Sequence, residues 1–84
     1  MKLKIFAVYD NGVNAYLRPF YGRSKGEAVR MFIEAANDKE NNFHKFAADY
    51  ILMELGEFDD VSGIFSGVEP RRVMGALEAL SPQE

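Results

Sequence analysis

Lys2-Leu3-Lys4-Ile5-Phe6-Ala7-Val8-Tyr9 opens the chain, and the alternation within this run decides what kind of sheet the molecule builds. Successive side chains on a strand point to opposite faces. One face holds Leu3, Ile5, Ala7 and Tyr9; the other holds Lys2, Lys4, Phe6 and Val8. Two lysines on the second face predict a strand that buries the first set and turns the second to solvent. Asp10-Asn11-Gly12 supply turn residues, and Asn14 extends the loop before Tyr16-Leu17-Arg18-Pro19-Phe20-Tyr21 resumes an extended pattern. Pro19 has no amide hydrogen for a ladder, which predicts an edge strand or a bulge. The expected product is a β-hairpin whose outward side carries Lys2, Lys4, Phe6, Tyr16, Arg18 and Phe20. A one-residue change of register reverses that assignment.

Downstream, Ser24-Lys25-Gly26-Glu27 matches a capping box and predicts the start of a helix. Ala28, Val29, Phe32, Ile33 and Ala36 recur at helical spacing, until Asn37-Asp38 and Asn41-Asn42 end the pattern. Phe43 to Ala48 allow a short helical turn that tucks one or both phenylalanines under the sheet. Tyr50 to Leu55 read as a third strand, continued by Gly56-Glu57-Phe58 toward a turn at residues 59–63 and a return at Ile64-Phe65. Pro70 sits where helices start, and Val73, Met74, Leu77 and Leu80 form an apolar stripe closed by Ser81-Pro82. These features predict an α+β domain in ββα-ββα order: a small antiparallel sheet of two hairpins, a helix on one face, and a C-terminal tail (68–84) forming a short helix. The other sheet face is left uncovered.

At 84 residues the chain has material for one domain, and without cysteine it has no disulfide or thiolate metal site. A core this small is marginal by itself, which favours a homo-oligomer, a dimer first. No apolar run approaches the roughly 20 residues needed to span a bilayer, so no membrane role and no secretion are expected. The net charge of -3 conceals an asymmetry: residues 1–30 hold six Lys or Arg against two acids, and the remainder holds four against eleven.

The single His44 has aromatic neighbours and no spacing that points to a base, an orienting group and a nucleophile, so no enzyme is expected. Asp59-Asp60-Val61-Ser62-Gly63 lacks the ligand spacing of a calcium loop and reads as a hairpin turn, so no metal or other cofactor is expected. The basic, aromatic side of the first hairpin has different chemistry. Lys2, Lys4 and Arg18 can neutralise phosphates, while Phe6, Tyr16 and Phe20 offer planes for unpaired bases. The same residues also suit a dimer core, with lysine stems lying across apolar surface. Arg71 and Arg72, at the predicted start of the last helix, oppose its dipole, and a phosphate there would relieve the opposition.

Met1 to Asp10, taken with Asp49-Tyr50, Glu54 and Gly56-Glu57-Phe58-Asp59, resembles the small nonstructural proteins of gokushoviruses, single-stranded DNA phages of the microvirus family. The likeness covers about residues 1 to 65, including Ala15-Tyr16-Leu17-x-Pro19-Phe20 and the helix beginning near Ser24. After Gly67 the chain departs from it: a more extended tail is expected there in place of the helical stripe. Members are labelled DNA-binding or replication-associated. The resemblance therefore implies a nonstructural protein of the infected bacterial cytoplasm that assists genome replication or packaging. Residues and resemblance together predict a homodimer that binds single-stranded DNA through Lys2, Lys4, Phe6, Tyr16, Arg18, Phe20, Arg71 and Arg72. The alternative is a non-enzymatic protein that uses this face to dimerise or to engage a phage or host replication or capsid protein.

Overall fold

The computed structural model describes residues 1–80. Strands β1 (Lys2–Asp10), β2 (Ala15–Tyr16), β3 (Phe20–Gly22), β4 (Tyr50–Asp59) and β5 (Phe65–Gly75) form one antiparallel sheet. Helices α1 (Lys25–Asn37), α2 (Asn42–Lys45) and α3 (Ala76–Ala79), with a 3-10 turn at Ala47–Asp49, complete the α+β architecture expected from the sequence. β1 and β4 lie at the centre and β5 forms one edge. β2 and β3 share the other edge, pairing in succession along β1 at Tyr9↔Tyr16 and at Phe6↔Phe20. The break between them falls at Leu17-Arg18-Pro19, where proline cannot donate; the Leu17 amide still donates to Val8 O at 2.8 Å.

Helix α1 begins where the cap was read: the Ser24 hydroxyl accepts from the Glu27 amide at 3.2 Å. The Glu27 carboxylate reaches one residue further back than a capping box requires, accepting from the Arg23 amide at 2.9 Å. That bond, with the Arg23 guanidinium, holds the Glu27 carboxyl below the usual carboxylate range. Ala28, Phe32 and Ala36 are the buried face of the helix. Two alanines let the helix approach the sheet closely, where it meets Phe6, Val8 and Leu52. Phe43 tucks between Phe32 (5.7 Å) and Tyr50 (4.7 Å), whereas Phe46 is exposed. His44 Nδ1 lies 2.9 Å from Ala36 O, so this nitrogen carries the proton and closes the end of α1. Asn37 Nδ2 ties the same end to the tail, donating to Ile33 O and Ala79 O.

Two expectations are overturned. The first concerns which alternation is buried. Phe6 is 0% exposed and Val8 is buried, so their side of β1 faces α1, and Leu3, Ile5, Ala7 and Tyr9 occupy the side without a helix. Both sets are apolar in the middle of the strand, and Phe6 with Val8 buries more side-chain surface against a helix than Ile5 with Ala7 does. Ala7 is buried on the open side because its methyl does not reach past its neighbours.

The second concerns the tail. Residues 70–75 are strand, not helix: β5 runs from Phe65 to Gly75 and only Ala76–Ala79 is helical. Pairing along ten-residue β4 outweighs the short helical stripe. Pro70 is accommodated because Gly56↔Gly67 and Glu54↔Arg71 are paired while residues 68–70 bulge opposite Leu55 alone. A second irregularity at Val73 lets both Val73 and Met74 pack against the core. The closing Ser81-Pro82 lies outside the described residues.

β4 carries a further bulge against β1. Ile5 pairs with Gly56 and Phe6 with Glu54, leaving Leu55 as the extra residue. A side chain at Gly56 would bring its Cβ within 2.3 Å of the Ser66 carbonyl oxygen, so only glycine fits the bulge.

Candidate nucleic-acid interface

The bulge determines where charge sits on the sheet. In a regular strand, residues three apart face opposite ways. The extra residue puts Glu54 opposite Phe6 and Glu57 opposite Lys4, on one side. Lys4 Nζ consequently lies 3.7 Å from Glu54 Oε2 and 3.8 Å from Glu57 Oε2. Lys2, next on that side, is paired with Asp59. The lysines and carboxylates thus share the helix-bearing side, beyond the end of the core. No carboxylate of β1 or β4 is left on the open side.

The open side holds two groups of rings. At the proximal end, near Asp10 and Tyr50, Tyr9 and Tyr16 meet edge to face with centroids 4.9 Å apart. With Asn11, Ile51, Met53 and Arg72 they line a shallow hollow of about 290 Å³. At the distal end, near Lys2 and Phe65, Phe58 lies between Tyr21 (5.9 Å) and Phe65 (4.7 Å). Leu3 is opposite Phe58, and Ile5 is opposite Tyr21.

The eight residues expected to form the site are therefore dispersed. Phe6 is fully buried and stacked on Phe20 at 5.9 Å, so it offers no plane to a base. Phe20 is half-buried and lines an apolar hollow of about 160 Å³ against α1. Lys4 is held by two carboxylates, and exposed Lys2 points to the helix-bearing side. Arg18 stands exposed in the break between β2 and β3, with no ion pair among the described residues. Arg71 and Arg72 do not begin a helix, so the expected conflict with a helix dipole does not arise. Arg71 is exposed opposite Glu54. Arg72 pairs with Glu78, whose carboxyl is held low by that guanidinium and by the Gly75 amide. Of the eight, Tyr16 and Arg72 meet at one hollow. Sequence reasoning missed Tyr9, Tyr21, Phe58 and Phe65. The available signal was Gly56 inside a strand, which marks a bulge and would have moved Glu54 and Glu57 to one side.

Among the described residues no helix is long and apolar enough to cross a membrane, and no group of three His, Cys, Asp or Glu is placed to hold a metal ion. The family model described as Phage ORF5 protein matches residues 3–79, and the chain belongs to this phage protein family. No curated protein and no solved structure matches it. The matched span includes all of β5 and α3.

Proposed function

We propose that this phage ORF5 family protein binds single-stranded DNA without sequence preference through the proximal part of its open sheet side, assisting genome replication or packaging in a phage of the gokushovirus kind. One observation carries it: the Tyr9 and Tyr16 rings and the Arg72 guanidinium line one hollow on a side to which β1 and β4 bring no carboxylate. Aromatic planes accept any base, at about 1–3 kcal/mol per stacked base. Arg72 reaches a phosphate by exchanging its Glu78 partner, and Arg18, two residues from Tyr16, supplies a second cation at the same end. We take the role to be non-enzymatic, and we assign the one histidine, whose Nδ1 meets the Ala36 carbonyl, to the fold.

Titration of a short oligothymidine against salt tests the proposal. Two neutralised phosphates predict a slope of log affinity on log salt near -1.4, taking about -0.7 per phosphate on single strands. Tyr16→Ala should weaken binding roughly tenfold, within the range of a lost base stack. Arg18→Ala should make the slope shallower, whereas Lys4→Ala should leave binding unchanged. No binding at low salt, or equal loss from Lys4→Ala, overturns the proposal.

A further inference from the structure

The distal end of the sheet is built like half of a core. On its open side Leu3, Ile5, Tyr21, Phe58 and Phe65 form one aromatic and aliphatic layer. The helix packs against the opposite side, over Phe6, Val8 and Leu52. Tyr21 and Phe65 are accordingly 48% and 62% exposed. Among the described residues, no helix covers this layer.

We infer that the cover is a second copy of this chain, distal face against distal face about a two-fold axis. Charge selects this occupant. The layer itself holds no ionised side chain, so two copies meet without opposing like charges, and an acidic or basic partner would find nothing in it to pair with. The Leu55–Gly56 bulge puts Glu57 on the other side with Glu54 and Lys4, where they keep the back of the sheet solvated. Size sets the strength. Four strand positions ~4.8 Å apart and about five residues at ~3.3 Å give roughly 300 Å² in plan for each copy. The two copies together give roughly 600 Å² in plan, below the ~1,200 Å² of a stable specific interface, so the pair is weak and exchanges with monomer as concentration changes. An axis perpendicular to the strands overlaps the distal ends and directs the two Tyr9–Tyr16 hollows away from each other. Pairing and oligonucleotide binding then use separate surfaces.

Sedimentation velocity of the full chain across a wide micromolar range provides the test. The weight-average mass of the wild type should rise from one subunit toward two. Phe65→Glu, at an exposed position, should stay monomeric throughout, with circular dichroism confirming its fold. Tyr21→Lys supplies a second disruption on a different strand should the first variant unfold. Tyr16→Glu, at the proximal end, should dimerise like the wild type. A wild type that stays monomeric at the highest concentration overturns the inference and leaves the layer to an apolar segment of another protein. Self-association of Phe65→Glu and Tyr21→Lys at wild-type strength, or its loss in Tyr16→Glu, overturns it equally. Failure of every form to bind oligothymidine, with dimerisation intact, would sink only the DNA proposal.

Discussion

The two ends of the sheet are made from the same strands, yet they carry opposite chemistry on the side that bears the helix. At the proximal end, Phe6 and Val8 of β1 lie under α1 with Leu52 of β4. One step further along the same alternation, Lys4 and Lys2 stand among Glu54, Glu57 and Asp59. The open side complements this: Arg72 and paired tyrosines at the proximal end, uncharged aromatic residues at the distal end. The contrast teaches that a strand does not have one buried face from end to end. What covers each segment sets its character, and a single inserted residue at Leu55 keeps the carboxylates of β4 away from the open side.

The sharpest way to break the contrast is to remove equal ring volume from each end. Phe6→Ala should cost about 3–5 kcal/mol, the range for deleting a fully buried phenylalanine. Phe65→Ala, in dilute solution where the chain is monomeric, should change stability by no more than about 0.5–1 kcal/mol, as for other surface substitutions. Urea denaturation of the two variants measures both. Equal losses would show that the distal layer is already covered within one chain. Next in size is Gly56→Ala. The new Cβ would lie 2.3 Å from a backbone oxygen that cannot rotate away, and relief of the clash requires β4 and β5 to separate at the bulge. A loss of roughly 2–3 kcal/mol is expected from such backbone displacement. Amide chemical-shift changes should be concentrated in residues 54–67 and should spare α1. Uniform changes would mean that the two ends fold as one unit.

Much of this architecture was legible in the sequence, and the gaps have physical causes. Ser24 and Glu27 announced α1, the helical spacing of Ala28, Phe32 and Ala36 gave its buried face, and the cluster at residues 59–63 gave the second hairpin turn. The buried side of β1 was not legible, because Leu3, Ile5 and Tyr9 compete with Phe6 and Val8 on nearly equal apolar terms. Lys2 and Lys4 then misled, since they mark the solvated end of the covered side and not an uncovered side. The tail was misread because Val73, Met74, Leu77 and Leu80 fit a helix locally, whereas the partners that make residues 71–75 a strand lie on β4, 17 to 24 residues away in sequence. The candidate site depended on register, so Tyr16 and Arg72 were found and their neighbours Tyr9 and Met53 were not.

A smaller effect sharpens the comparison on the charged back of the distal end. Lys4 sits between two carboxylates at nearly equal distances, but it and Glu57 are partly exposed, and solvent screens the attraction. Lys4→Met should therefore cost less than about 1 kcal/mol. A loss several times larger would assign the distal end an ionic core in place of the apolar layer on its open side.

The finest distinction between the two ends is their order of loosening in alkali. At the distal end the Met1 ammonium donates to Asp60 Oδ1 at 2.7 Å, and this bond, aided by the charges of Asp60 and Asp59, raises its pKa above the ordinary 8.0. At the proximal end burial, with the charges of Asp10 and Asp49 beside it, raises the Tyr50 phenol above the ordinary 10.0. Both groups hold their proton more tightly when folded, so each contributes stability that is complete below its unfolded value and is lost as pH rises through its folded value. The ammonium window opens near 8.0 and the phenol window only above 10.0. The amides around residues 58–65 should therefore lose protection from exchange, corrected for intrinsic rate, before those of Tyr50 and Leu52. Acetylating the N-terminus should remove the earlier phase and leave the later one in place. If Tyr50 and its neighbours loosened first, or both ends together, the distal end would owe its order to contacts other than the Met1–Asp60 clasp.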